Sequence, residues 1–350
     1  MSQKKGFSKF VSRSLLAFLP VALLLALYLI VDPFRVVHPY DGIAIPAGDT
    51  LDRIPNKRFV ALEGFEVYHP QEQYDSFIFG SSISNMFQAA TWKRHLPADA
   101  SIYHFTESAQ TLTGIRDELR WLVSHGVKVR HALLIMEDEM FQRPKRYSEM
   151  PFVPHYRVSP EVTRLDFHRV HFNALRDVDM LLFALYPPLT VNRLIADDKM
   201  ALAPSSRSEV LNEDYNTEDD SLMRQNPHEF YVNTGMDWLE TMQPLPTPMP
   251  LSINAEAEAV LREIAEVLHD NDIDYVVIVP PRYLSPALSP LDHALLCEIM
   301  GNDRVNDFTG DSILVHDLYN YYDGVHIITE RCSELIDRSY EPKLLMPRTK

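Results

Sequence analysis

The chain has 350 residues, 46% of them apolar and 23% charged, so a sizeable core is available and wholesale disorder is excluded. Its formal net charge of −16 argues against nucleic acid or another polyanion as a partner held by bulk attraction. Two cysteines, Cys297 and Cys332, are too few for a disulfide framework. They leave one bridge and two buried thiols both open, and no residue spacing points to a metal ligand set or a bound cofactor.

Residues 1–14 form a basic tail in which Lys4, Lys5, Lys9 and Arg13 stand with no acid among them. Residues 15–31 follow as an unbroken apolar run, at the lower edge of the roughly 17–25 residues a membrane-crossing helix needs. The run ends Leu27-Tyr28-Leu29-Ile30-Val31-Asp32-Pro33 without a small-x-small cleavage pattern, which favours an uncleaved anchor over a signal peptide. The basic flank predicts a cytoplasmic N-terminus and an exported body. That body is more acidic than the whole chain, because the four cations stay behind.

Residues 32–74 carry prolines and aromatics with little periodicity and read as an extended juxtamembrane segment leading into the body. From 75 to 340, short apolar runs predict strands at Ser76–Phe79, Ser101–Phe105, Ala132–Met136, Tyr275–Val279 and Ser312–Val315. Helical patterns lie between and after them at 83–95, 112–124, 255–269, 290–300 and 327–339. This alternation predicts an α/β fold: a mostly parallel five-stranded sheet with helices on both faces, a flavodoxin-like three-layer sandwich. Residues 141–252 are too long for a simple connection and read as an insertion. It holds helices at 175–185, 191–200 and 235–242, a mobile acidic loop at 205–220 and a proline cluster at 244–250. Residues 341–350 are a tail.

Two short segments carry chemistry. Gly80-Ser81-Ser82 follows the first strand as a tight turn. Asp323 precedes His326 by three residues at the mouth of a helix, a spacing that puts both on one face. A carboxylate bonded to one imidazole nitrogen fixes the tautomer and leaves the other nitrogen as a base for a serine hydroxyl. The plainer alternative is a serine N-cap in the first segment and a solvated turn in the second. In a parallel sheet, however, both segments reach the carboxyl edge, where sites collect.

These two ends resemble the SGNH (GDSL-like) hydrolase superfamily, and within it the membrane-anchored members. Gly80-Ser81-Ser82 is similar to the block that presents the nucleophile, Ser82 here, and Asp323-x-x-His326 is similar to the last block. The resemblance implies a Ser82–His326–Asp323 triad with oxyanion donors at the Ser82 amide and at Ala109, near a glycine position of the second block. In the third block Glu137-Asp138-Glu139 replaces the asparagine pattern, leaving Gln110 and Asn85 as substitute donors. The resemblance also implies a bacterial cytoplasmic-membrane protein with an extracytoplasmic body. It would transfer or hydrolyse acyl groups on a cell-surface polysaccharide or teichoic acid-like acceptor, beside a polytopic membrane acyltransferase. Esterase and transferase both stay open, as does a catalytically degenerate glycan-binding or scaffold role. Other polar residues read more plainly: His155, His168 and His171 as core or surface histidines, Trp121 as core, and Trp92 and Trp238 as rings that could stack on sugars.

Overall fold

The computed structural model describes residues 2–38, 56–145, 149–150, 152–185, 206–215, 217–245 and 252–341. Helix α1, Ser2–Ala26, runs through the basic tail and ends in a π-helical stretch, Leu27–Val31. Within it Phe10–Val31 is 22 residues long with mean hydropathy 2.7 and 6% buried, long and apolar enough to cross a membrane. Asp32 stops the helix at a left-handed φ of 45°. Its carboxylate accepts the backbone N–H groups of Val36, Val37 and His38, each at 2.9 Å.

The described part of the juxtamembrane segment is not extended. Helix α2, Lys57–Glu72, starts at the N-cap Asn56, whose side chain accepts the Phe59 N–H at 3.0 Å. It escapes a periodicity reading because its first turn buries two cations, Lys57 and Arg58, beside the apolar Ala61, Leu62 and Phe65.

The sheet is all parallel, with β1 Ser76–Gly80, β2 Ile102–Thr106 and β3 His131–Ile135. A small antiparallel hairpin, β4 Ser206–Ser208 and β5 Glu213–Tyr215, precedes β6 Asp274–Val279 and β7 Val305–Asp307. The order across the sheet is β2-β1-β3-β6-β7, an α/β doubly wound arrangement. Strand side chains alternate between two cores. Phe77, Phe79, Tyr103, Phe105 and Leu134 pack on α2 and on α4 (Leu112–Ser124), α10 (Ala255–Asp270) and α11 (Pro290–Met300). Ile78, Ile102, Leu133 and Ile135 face the other side, toward α3 (Ala89–Lys93), α9 (Pro227–Thr234) and α13 (Thr329–Ser339). The hairpin loop covers the outer edge of β2: the His104 N–H donates to the Leu211 carbonyl at 3.0 Å, and Asn212 donates back to the His104 carbonyl at 2.5 Å.

Several expectations are corrected. Residues 312–316 are helix α12 rather than a strand, because Asp311 caps it by accepting the Ile313 and Leu314 N–H groups. The fifth strand is instead β7, three residues long. Residues 83–95 divide into a 3-10 turn, Ser82–Met86, and α3. Helix α5 (Asp138–Gln142) runs into the insertion, where α6 (Arg164–Ala174) and α7 (Val178–Leu185) follow, with Leu175 capping α6 rather than opening a helix. The acidic stretch expected as a loop forms the hairpin and the start of α8, Thr217–Gln225. Gly235 caps α9 at φ +71°, and the turn beyond it, Asp237–Thr241, is 3-10. The helix expected at 191–200 and most of the proline cluster at 244–250 lie outside the described residues.

Candidate active site

Strand order reverses on either side of β1, and that switch opens a crevice at the carboxyl ends of β1 and β3. The turn after β1 needs Gly80. A Cβ there would sit 2.6 Å from the Ser84 Cβ and 3.0 Å from the Ile135 Cβ, so any larger residue would push the turn off β3. Ser81 takes the capping duty: its hydroxyl accepts the Ile83 N–H at 3.2 Å, and its carbonyl accepts the Ser84 hydroxyl at 2.7 Å. The neighbouring Ser82 hydroxyl is thereby left for another partner, and it lies 2.8 Å from Nε2 of His326.

His326 does not sit in a helix. It belongs to a loop closed by an antiparallel bridge between Tyr321 and Ile327, ahead of α13. Gly324, at φ +82°, allows the reversal, and its carbonyl accepts the Tyr283 N–H at 3.0 Å. Tyr231 of α9 buttresses the loop by donating to the Leu318 and Tyr321 carbonyls at 2.7 and 2.6 Å. Asp323 Oδ1 accepts the Val325 and His326 N–H groups at 3.0 and 2.8 Å, which leaves Oδ2 to accept from His326 Nδ1 at 2.7 Å. With Nδ1 as donor, Nε2 is the acceptor facing the Ser82 hydroxyl. The three residues stand in the order serine, imidazole, carboxylate.

The electrostatics suit a base. Burial pushes the His326 pKa down, but the hydrogen bond and charge of Asp323, helped by Glu137, hold it above the ordinary histidine value. Burial acts to raise the Asp323 pKa, and the His326 hydrogen bond outweighs it, keeping the carboxylate below its usual range.

A cleft of about 160 Å³ opens beside Ser82, lined by Ser81, Ala109, Gln110, Glu137, Met140 and Arg143 among others. Ala109 has a left-handed φ of 50°. Among the described residues, the backbone N–H groups of Ser82 and Ala109 carry no hydrogen bond. Gln110 lines the cleft with one amide hydrogen already engaged: its Nε2 donates to Glu118 at 2.8 Å and its Oε1 accepts the Thr111 N–H at 2.9 Å. Asn85 is buried in the 3-10 turn and is not among the residues lining the cleft. Glu137 is buried at the cleft wall. Burial raises its pKa, partly offset by a Ser81 hydrogen bond and by the charges of Arg282 and His326, so that it stays above the usual carboxylate range. The two acids that follow it are each paired, Asp138 with Arg282 at 3.2 Å and Glu139, which also lines the cleft, with Arg143 at 3.6 Å.

Beneath the cleft lies a polar cluster that has no signature in the sequence. Arg58 of α2, with its side chain 2% exposed, pairs with Glu107 at 2.8 Å and donates to the Ala109 carbonyl at 2.8 Å. Burial first, and Glu107 second, push Glu118 well above the carboxylate range. Lys57 pairs with Asp214 at 2.6 Å. A cation at the first turn of a weakly amphipathic helix reads as a surface charge, so the role of Arg58 in holding the Ala109 loop appears only in three dimensions.

The remaining polar candidates fall elsewhere. His155 stacks on Phe59 with centroids 4.9 Å apart, His168 bonds Tyr28 at 2.8 Å, and His171 is buried on Phe167. Trp92 and Trp121 are core, whereas Trp238 is exposed. Cys297 and Cys332 are not bonded to each other. Among the described residues no cluster of three His, Cys, Asp or Glu is placed to hold a metal ion. Compared with models of known protein families and with curated proteins, the chain matches none.

Proposed function

We propose that the chain is a membrane-anchored serine acyltransferase or esterase of the SGNH type, acting outside the cytoplasmic membrane on a cell-surface glycan. The observation that carries this reading is the hydrogen-bond chain from Ser82 through His326 to Asp323 at the mouth of a cleft. On this reading His326 Nε2 takes the Ser82 proton as Oγ bonds to the carbonyl carbon of an ester, and Asp323 stabilises the imidazolium. The Ser82 and Ala109 amides receive the oxyanion. The imidazolium protonates the leaving alcohol as the ester C–O bond breaks, giving acyl-Ser82. Water or a sugar hydroxyl then attacks the acyl carbon, loses its proton to His326 and releases Ser82 with its hydrogen restored. The apolar helix before an acidic body, with its basic tail inside, supports placing this chemistry at the outer membrane surface.

The test uses the full chain in detergent. A fluorophosphonate probe is expected to label Ser82, and p-nitrophenyl acetate to be turned over, with both lost in Ser82→Ala. A folded protein that neither takes the probe nor releases p-nitrophenol would sink the acyl-serine step. One observation favours the second reading, a noncatalytic glycan-binding domain: the Glu137 carboxyl stands where a neutral donor suits an oxyanion. In that case the cleft retains a surface polysaccharide equally well with Ser82→Ala.

A further inference from the structure

The apolar helix does not end in solvent. Tyr28 of its last turn, with Phe34 and Val36 just beyond, is buried in a cluster of its own with Phe167 and Leu175 of the α6 region and Met180, Phe183 and Ala184 of α7. Tyr28 is bonded to His168 of α6 at 2.8 Å and meets Phe172 edge-on with centroids 5.9 Å apart. The α6–α7 pair is therefore seated on the end of the membrane-crossing segment.

Helix α7 is apolar on two sides. Met180, Phe183 and Ala184 face inward, while Val178, Leu182 and Leu185 are exposed, Val178 and Leu185 by more than 60%. Their spacing of i, i+4, i+7 draws one stripe along the helix. A stripe of this kind facing water is unfavourable, and here it is continuous with a segment that belongs in lipid. We infer that the outer face of α7 lies in the interfacial layer of the bilayer that α1 crosses. It seats the body on the membrane through a second contact besides the anchor. The occupant is lipid, because the cluster that holds α7 is built on the last turn of the anchor itself and so keeps α7 at the depth where that anchor leaves the hydrocarbon.

Charge does not drive the contact. On α6, α7 and their joint, Arg164, Arg169 and Arg176 are balanced by Asp166, Asp177 and Asp179. Seating should therefore occur on zwitterionic lipid as well as on anionic lipid. The inference rests on Phe10–Val31 crossing the membrane and is independent of the chemistry proposed for Ser82.

The test places a tryptophan on the full chain in vesicles of phosphatidylcholine that contain no other protein. Leu182→Trp and Leu185→Trp change exposed side chains and leave the core intact. Each is expected to add blue-shifted emission that is largely lost when the lipid is replaced by its dibrominated form, with or without phosphatidylglycerol. Leu291→Trp is exposed on α11, which packs at β7, the sheet edge opposite the α2 side, and its added emission is expected to be unquenched. Leu19→Trp reports the anchor. If Leu19→Trp is quenched and the α7 tryptophans are not, the seating is overturned while the anchor stands, and the stripe belongs to a protein partner. If Leu19→Trp is itself unquenched, the anchor reading fails and the seating falls with it. Equal quenching at Leu182 and Leu291 also overturns it, since the contact would not be particular to α7.

Discussion

Glu137 and His326 act on each other electrostatically, and the rate should record both. The base must be neutral to accept the Ser82 proton, and Asp323 and Glu137 hold its pKa above the ordinary value. Turnover should therefore rise with pH through a midpoint higher than about 6.5, the value of an unperturbed histidine. Glu137 works in the other direction. Its ionised form opposes an oxyanion, and burial delays that ionisation. Replacing it with glutamine removes the charge and supplies an N–H donor. Glu137→Gln is expected to move the alkaline rise toward lower pH, since one of the charges raising His326 is gone. The plateau should also rise, up to about 10³-fold, because a single oxyanion donor is worth ~2.7–4 kcal/mol. A p-nitrophenyl acetate pH profile superimposable on that of the parent chain would show that Glu137 does not sense the reacting centre.

Among the elements, the turn after β1 is the most exacting. The Cβ of an alanine at Gly80 would meet Ser84 and Ile135 well inside contact distance. Gly80→Ala should cost about 1–3 kcal/mol in stability by overpacking. It should also cost turnover beyond what that loss explains, because the same shift carries Ser82 away from His326. Urea unfolding and turnover measured on one preparation separate the two effects; unchanged stability would show that the turn relaxes freely. This turn was legible in the sequence, as were α4 and α11 to the residue; in the structure Thr111 and Ser289 cap them by accepting the Gly114 and Asp292 N–H groups. What was not legible depends on tertiary contact. Strand β7 is three residues long and pairs on one side only, so it carries too few apolar positions to declare itself. Helix α2 hides its purpose in two buried cations. The Asp323–His326 spacing was read as a helix face, although a loop closed by a bridge and Gly324 makes the contact. That Glu118 of α4 takes one of the two Gln110 amide hydrogens could not be read from the sequence either.

At the scale of the molecule, the two cores on either side of the sheet behave differently toward reagents. Cys332 is fully buried in the core that holds α13, and burial drives its thiol pKa far up, whereas Cys297 is only partly buried on α11. Under native conditions iodoacetamide is expected to modify Cys297 alone. Cys332 should react only as the chain opens globally, so its modification rate in mild urea should track the unfolding equilibrium. Rapid alkylation of Cys332 in the absence of denaturant would mean that the α13 side opens independently of the rest.

The hydroxyl and the imidazole that meet at 2.8 Å lie 244 positions apart in the chain. At ordinary rates of synthesis the ribosome needs roughly 10–50 s to pass from one to the other. For all of that interval the emerging serine has no base. On the proposed chemistry and the proposed export of the body, the nascent protein cannot acylate anything while it is being threaded into and across the membrane. Reactivity would switch on only when α13 and the loop before it dock, so the order of translation acts as a safety catch that needs no propeptide or inhibitor.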